Sequence, residues 1–464
     1  MPRPVTQVLH SRPATRRAFA TTLALLLVGA ALHGCGGGPA DGDRTHASDG
    51  TCDGDVERPT YITAWFHQGQ GPERQTLQRQ VRAFNAAQDD VTVRLVVFPD
   101  LDFNDEVEAA AASGELPDVL DFDGPNLYSF AWSGKLRALD SCISPELRAD
   151  LLPSLRRQGT YDGRMWGVGT FDSGLGLYVR PSILRKAGIR IPTHPEDAWS
   201  AAEFTQILET LQDAGYDHPL DLKYTRAAVG GGPEWYAYGY APVLWSAGAD
   251  LVDRDGSGRA TGTMNSPAAV AALTTVQRWA EAGYLTRDPD TGSASFVDGR
   301  APISWMGHWV HGQFAAAHGT DLQIVPLPDF GRGSRSGMGS WQWGITTKTR
   351  DGDAAWRFLQ FLLSKKEVLR MSRANGAIPG TRSAVAEDPA FGPGGEGHLY
   401  VEQLQGATAV PRPQTPAYPV VTRAFARAVH AITTGADVRT QLDRAAETID
   451  RDIREHRGYP PPGS

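Results

Sequence analysis

Aromatic rings, and carboxylates near predicted strand ends, are the side chains of this chain best suited to a binding site. The 464 residues include 12 Trp and 13 Tyr. Rings stack on the flat apolar faces of a ligand, and an ionised carboxylate accepts hydrogen bonds from hydroxyl groups. Four candidates follow from local sequence: Trp65 ends a β-rich run, Asp123 follows another, and Trp235 and Tyr236 follow a Gly-rich stretch at 230–233. Asp123 is equally suited to capping a helix.

Other kinds of chemistry have little support in the sequence. The formal net charge is -8, and no basic stripe goes beyond adjacent pairs, so nucleic-acid binding is not expected. There is no Cys-x-x-Cys, Gly-x-Ser-x-Gly elbow, His-Glu-x-x-His or P-loop. Residues 253–258 faintly resemble a calcium loop but lack its final acidic residue, which favours a simple turn. We predict neither a metal nor a cofactor.

The start of the chain is predicted to be an export signal rather than part of the fold. Three Arg between positions 12 and 17 precede an apolar run at 18–32 that is short for a membrane span. The Leu-His-Gly-Cys that ends at Cys35 resembles a lipobox, whose Cys is acylated. Two adjacent Arg leave a twin-arginine route open beside general secretion. We expect a lipoprotein signal peptide over 1–35, a flexible tether over 36–55, and an extracytoplasmic protein lipid-anchored to the membrane.

Two cysteines, Cys52 and Cys142, remain after Cys35. In an oxidising compartment they form either one disulfide or two free thiols. We favour the disulfide.

The body of the chain begins with alternating strand and helix patterns. This rhythm predicts a parallel sheet wrapped by helices, with ligands at the carboxyl ends of the strands. The predicted elements are strand 61–66, helix 73–85, strand 91–97, helix 105–113 and strand 117–122. The middle of the chain, 181–285, is predicted to be mostly helical, and later segments include strands 302–306 and 322–326 and helices 353–363, 420–433 and 438–454.

Several motifs along this body occur in an order that resembles the extracellular solute-binding proteins of family 1, the maltose- and trehalose-type sugar receptors. Residues 113–119, Ser-Gly-Glu-Leu-Pro-Asp-Val, are similar to the family's Ser-Gly-x-x-Pro-Asp-Val. Residues 161–168, Tyr-Asp-Gly-Arg-Met-Trp-Gly-Val, are similar to its Tyr-x-Gly-Lys-x-Tyr-Gly-Val. Each motif is weak alone, but their collinear order over nearly all of 60–455 is specific. Further matching segments are 177–180, 187–189, 296–301, 307–309 and 411–418.

The resemblance implies an α/β, two-lobe, periplasmic-binding-protein-like fold of type II, with the ligand in a cleft between the lobes. The first lobe would comprise 56–169 plus 345–405, and the second 170–335 plus 406–464. The chain would cross between them near residues 170, 340 and 410.

The resemblance also implies ligand contacts and partners. Asp172 matches a sugar-binding carboxylate at the first crossover, and Trp309 matches the cleft Trp. Trp341 falls at the second crossover, and Arg412 and Tyr418 fall in the last. The implied function is a monomeric, non-enzymatic receptor that delivers a carbohydrate to the permease of an ABC importer.

Two alternatives stay open. A secreted glycoside hydrolase would place two carboxylates across a scissile bond, and Asp123 with Asp172 could do so. A receptor of the same fold could instead bind a phosphodiester through Arg412 or a polyamine through acidic groups.

Overall fold

The computed structural model describes residues 52, 56, 59–224, 232–286 and 294–461. Cys35, the predicted leader and the tether up to residue 51 lie outside the described residues.

The strands, numbered in chain order, include both long sheet members and short pairs at the crossings. They are β1 Thr60–His67, β2 Val91–Phe98, β3 Val119–Asp123, β4 Thr160–Tyr161, β5 Arg164–Met165, β6 Phe171–Asp172, β7 Leu175–Val179, β8 Leu220–Asp221, β9 Ile303–Gly307, β10 Gln323–Val325, β11 Ser336–Met338, β12 Trp341–Ile345, β13 Ile378–Pro379 and β14 Ala409–Pro411.

The α-helices surround these strands. They are α1 Gly71–Ala87, α2 Asp100–Ser113, α3 Leu127–Trp132, α4 Pro145–Asp150, α5 Pro153–Gln158, α6 Pro181–Lys186, α7 Ala201–Asp213, α8 Glu234–Ser246, α9 Pro267–Glu281, α10 Ala294–Val297, α11 His311–His318, α12 Gly352–Leu362, α13 Lys365–Asn375, α14 Arg382–Val385, α15 His398–Gln405, α16 Tyr418–Thr433 and α17 Val438–Glu455. None of the helices in the described part is both long and apolar enough to span a membrane.

The first sheet has the order β12-β3-β1-β2. Its β1 pairs in parallel with β2 and β3, as the strand–helix rhythm predicts, and β12 joins β3 antiparallel. Alternate β1 residues Ile62, Ala64 and Phe66 enter a core shared with α1 and α12. α2 ends at Gly114, which adopts φ 75° and closes the helix in the left-handed conformation. Because β1 and β3 are parallel, their carboxyl ends meet at one edge of this sheet.

The second sheet has the order β10-β7-β9-β8, in which β7 pairs antiparallel with β9 and β10. It belongs to a separate core that draws on 175–330 and on α16 and α17. Two short pairs, β6 with β13 and β11 with β14, lie where the chain passes from one core to the other. Two sheets with separate cores agree with the two-lobe fold class, while the exact lobe boundaries stay a prediction.

Candidate functional site

A buried guanidinium lies at the end of the first sheet. Arg412 follows β14 directly and is 4% exposed. Its Nη1 and Nη2 donate to both carboxylate oxygens of Asp123, the last residue of β3, at 2.7 and 2.8 Å. A bidentate pair of this kind is strong and fixes both side chains. Two residues proposed independently from the sequence therefore contact each other.

A second carboxylate completes what we call the buried ion cluster, defined as Asp123, Glu234, Arg412 and Tyr418. Glu234 begins α8 and accepts from Arg412 Nη1 and from the Tyr418 hydroxyl. Thr422, one turn further along α16, donates to its other oxygen at 3.0 Å. Burial raises the pKa of Glu234 to about 7 although Arg412 opposes the shift. Asp123 packs with the first sheet, whereas α8 and α16 pack in the second core, so the cluster joins the two lobes.

Asp172 is linked to this cluster through one glycine. Its Oδ1 accepts from the backbone N–H groups of Ser173 and Gly339 at 2.8 and 3.0 Å. The carbonyl of Gly339 in turn accepts from Arg412 Nη2 at 3.4 Å. Gly339 has φ 94°, and a Cβ there would come within 2.5 Å of the Gln158 side chain, so only glycine fits. Burial raises the pKa of Asp172.

Trp341 lies beside the cluster on the first-lobe side. It is directly opposite Asp123 in the register of β12 and β3. Its ring is half-buried and stacks on the imidazole of His67, with centroids 3.5 Å apart and planes 4° apart. His67 Nδ1 lies 2.5 Å from Asp121 Oδ2, which holds the imidazole in place. One ring of the predicted set is thus fixed at the carboxyl ends of β1 and β3.

Trp309 lies on the second-lobe side, in a 3₁₀ turn that follows β9. It is half-buried and 6.0 Å from the ring of Tyr238. The Tyr238 ring also faces the guanidinium of Arg412 at 4.7 Å. A chain of contacts therefore runs from Trp309 through Tyr238 to the buried ion cluster.

Three of the predicted residues are placed differently from the expectation. Trp65 lies within β1, two residues before its end, and packs on Phe98 with centroids 4.7 Å apart. Trp235 and Tyr236 are not on a flexible loop but in the first turn of α8, where both are buried. They donate to the backbone carbonyls of Lys223 and Tyr224. The apolar, aromatic α8 sequence is buried almost all round, a pattern that the Gly-rich stretch before it obscured.

Sequence reasoning missed Glu234, Tyr238, His67 and Asp121. The first two carry no motif, although an acidic residue after Gly and Pro is a common helix start. His67 and Asp121 lie at or near the ends of β1 and β3, where a parallel sheet presents polar side chains, and that rule could have identified them.

The arrangement is suited to binding a ligand. It offers a buried carboxylate, Asp172, and two half-buried rings, while Asp123, Glu234 and Arg412 neutralise one another beside them. The carboxylates of Asp123 and Glu234 converge on one nitrogen of Arg412 instead of flanking an open space. Within the described residues, no group of three or more His, Cys, Asp or Glu side chains is placed to hold a metal ion.

Away from the site, Cys52 and Cys142 are joined by a disulfide with Cα atoms 4.7 Å apart. Both pack against the first-lobe core. The bridge closes a loop of the chain that includes β1, α1 and β2.

Comparison with known proteins gives a consistent picture. Residues 79–392 match the family described as bacterial extracellular solute-binding protein. The diacetylchitobiose-binding protein DasA of Streptomyces coelicolor is 22% identical over 380 residues, which is 78% of this chain and 83% of that protein. The maltotriose-binding protein of Pyrococcus abyssi is 23% identical over 71% of this chain and 68% of its own length. The GacH receptor of Streptomyces glaucescens, solved unliganded and with acarbose, has a TM-score of 0.71, 21% identity, and coverage of 86% of this chain and 98% of its own.

Proposed function

This chain belongs to the bacterial extracellular solute-binding protein family, and from that premise we propose that it captures a carbohydrate outside the cytoplasm and delivers it to an ABC importer. The main support for the proposal is that charged and aromatic side chains of both lobes come together where the two cores meet. There, buried carboxylates and a guanidinium lie between two half-buried Trp rings, Trp309 and Trp341.

The exposure of these two rings supports a stacking role. Trp199 and Trp279, which lie in the second-lobe core, are fully buried, whereas Trp309 and Trp341 keep part of their rings accessible. A ring that neighbouring side chains hold in place and that stays partly accessible can stack on a sugar. The relatives named above bind diacetylchitobiose, maltotriose and acarbose, which supports a carbohydrate as the ligand class.

Hydroxyl recognition is the other half of the proposal. Asp172 ends β6, and its Oδ1 is held by two backbone N–H groups. A carboxylate fixed in this way accepts hydrogen bonds from hydroxyl groups without further ordering. We propose that Asp172 accepts hydrogen bonds from the ligand's hydroxyl groups. Arg412, which is paired with Asp123, helps to position it by bonding to the carbonyl of Gly339.

Location and partners follow from the same premise. The family is extracellular, and Cys35 at the end of a lipobox-like segment supplies an acylation site. The tether over 36–55 would let the body move near the membrane while it remains anchored. We propose a monomer that docks on the permease subunits and touches the membrane only through its lipid anchor.

The charge of the cluster disfavours the alternatives. Arg412 is already paired with two carboxylates, so an anionic phosphodiester would meet Asp123 and Glu234 instead of a free cation. A polyamine needs several unpaired acidic groups, and these two are engaged. A glycoside hydrolase would need Asp123 and Asp172 to flank a scissile bond, and the bidentate pairing of Asp123 with Arg412 does not favour that role because it engages both Asp123 oxygens.

A thermal-shift screen of the mature protein against mono- and oligosaccharides tests the proposal, because a ligand that binds only the folded state raises the melting temperature. Trp309→Ala and Trp341→Ala should lose most of the shift, since truncating a stacked ring costs about 2 kcal/mol or more, roughly a 30-fold loss of affinity. Trp279→Phe is the matched control. It should melt lower with and without sugar and keep the full shift.

Two results would overturn the proposal. One is a parent protein whose melting temperature no sugar of the panel raises; a shift that survives in both Ala variants would instead refute only the assigned site. The other is cleavage of an oligosaccharide during incubation, detected by chromatography, which would make the protein an enzyme.

A further inference from the structure

The end of α17 turns back on itself in an unusual backbone conformation. Arg457, Gly458 and Tyr459 have φ values of 54°, 78° and 56°. The Gly458 N–H bonds to the Ile453 carbonyl at 2.7 Å, which ends the helix with a left-handed cap. Glycine adopts this region freely, but Arg and Tyr do so only where surrounding contacts hold them.

Those contacts reach the other lobe. The Tyr459 ring lies 4.9 Å from the ring of Trp132, edge to face, and stacks on His456 at 4.6 Å. Trp132 Nε1 donates to the carbonyl of Pro460 at 2.8 Å. The Tyr459 hydroxyl donates back to Asp452 on α17 at 2.5 Å, so the ring is fixed to its own helix.

The two sides of this contact belong to different cores. Trp132 ends α3, whose Leu127 and Phe130 pack with β3 in the first lobe. α17 packs through Leu442 and Ile449 in the second lobe. We call residues 456–461 the C-terminal strap, because they extend from α17 to α3.

The strap lines one wall of a cavity of about 270 Å³ between α2, α3 and α16. A second contact between the lobes borders the same cavity, where Arg423 of α16 donates to Glu108 of α2 at 2.9 Å. That ion pair is exposed and contributes little. Beside this cavity, the aromatic and hydrogen-bonded contacts of the strap therefore hold the lobes together more strongly than the Arg423–Glu108 ion pair does.

We propose that the C-terminal strap is an intramolecular latch, which holds the two lobes together through Trp132 and must release when they separate. Trp132 adds a contact from the first lobe to those that Tyr459 makes with its own helix. The latch sets the balance between closed and open protein before any ligand binds, so it does not depend on the identity of the solute.

Distances between spin labels in the ligand-free protein test this latch. Asp105→Cys on α2 and Arg427→Cys on α16 are exposed positions for the labels, with Cys35→Ser to avoid a third site. Tyr459→Gly removes the ring and suits the left-handed backbone, and Trp132→Ala removes the other partner. Trp132→Ala should raise the ratio of long to short distances about tenfold, the amount expected for an aromatic pair with one hydrogen bond, and Tyr459→Gly, which keeps the hydrogen bond to Pro460, should raise it about threefold.

Two further variants make the result decisive. Trp132→Phe keeps a ring but loses the donor to Pro460, so its ratio should lie between those of the parent and Trp132→Ala. Tyr61→Ala removes an aromatic side chain that is 81% exposed and far from the strap in sequence, and should leave the distances unchanged. Tyr459→Gly and Trp132→Phe that fold, melt normally and give the parent's distance distribution would overturn the latch.

Discussion

Replacing Arg412 by Met should destabilise the protein strongly, because two carboxylates depend on this one guanidinium. Asp123 and Arg412 are 5% and 4% exposed, and the guanidinium is bidentate to Asp123 and also bonded to Glu234. Met keeps much of the volume but leaves the carboxylates facing each other without a cation. Removing one partner of a buried ion pair costs about 3–5 kcal/mol of unfolding free energy.

The pH dependence of this loss of stability follows from the raised pKa of Glu234. Its pKa in the folded protein is about 7, above its usual 4.5, so folding takes up a proton between these values and gains stability as the pH falls. Without Arg412 the pKa of Glu234 rises further, since the opposing positive charge is gone. Protonation then removes one of the two uncompensated charges. The deficit of Arg412→Met relative to the parent should therefore be smaller at about pH 5.5 than at about pH 8.

Urea unfolding followed by Trp fluorescence measures the effect, provided that the transition is single and its slope is unchanged. Arg423→Met is the matched control, because its ion pair with Glu108 is exposed and should cost only about 0–1 kcal/mol. Adding Asp123→Asn to Arg412→Met should recover part of the loss. If Arg412→Met is no less stable than Arg423→Met, the buried ion cluster does not hold the lobes in the way described.

The remaining predictions concern separate parts of the chain. Cys35→Ala should release the protein from membranes into the soluble fraction, and a variant that stays membrane-bound contradicts the anchor. Mass spectrometry of the non-reduced protein should find Cys52 bonded to Cys142 and no free thiol at either position. Asp172→Ala should weaken sugar binding by about 1–3 kcal/mol in calorimetry, because hydroxyl groups lose their acceptor in a closed site; unchanged affinity would remove Asp172 from the site. Burial lowers the pKa of His308 from 6.5 to about 4, so stability present above pH 6.5 should be lost as pH falls, by up to about 3 kcal/mol, and His308→Gln should lack that slope.

Much of the fold could be predicted because its signals are local. The alternation of Ile62, Ala64 and Phe66 in β1 and the helical spacing of α1 are properties of neighbouring residues, and parallel pairing follows from the strand–helix–strand order. The motif order predicted the family. The same motifs suggested Asp172 and Trp309 as ligand contacts, and that assignment stays a prediction.

Contacts between distant segments were decided only by the tertiary structure. Glu234 meets Arg412 and Tyr418 across 178 and 184 residues, and Trp132 meets Pro460 across 328. No periodicity connects such positions, because side-chain direction repeats only within one helix or strand. The burial that raises the pKa of Glu234 also exists only once both lobes surround it. The sequence determined by itself which residues could stack or accept hydrogen bonds, and packing determined which of them face one another, since desolvation and hydrogen bonding depend on atoms that only the folded chain brings together.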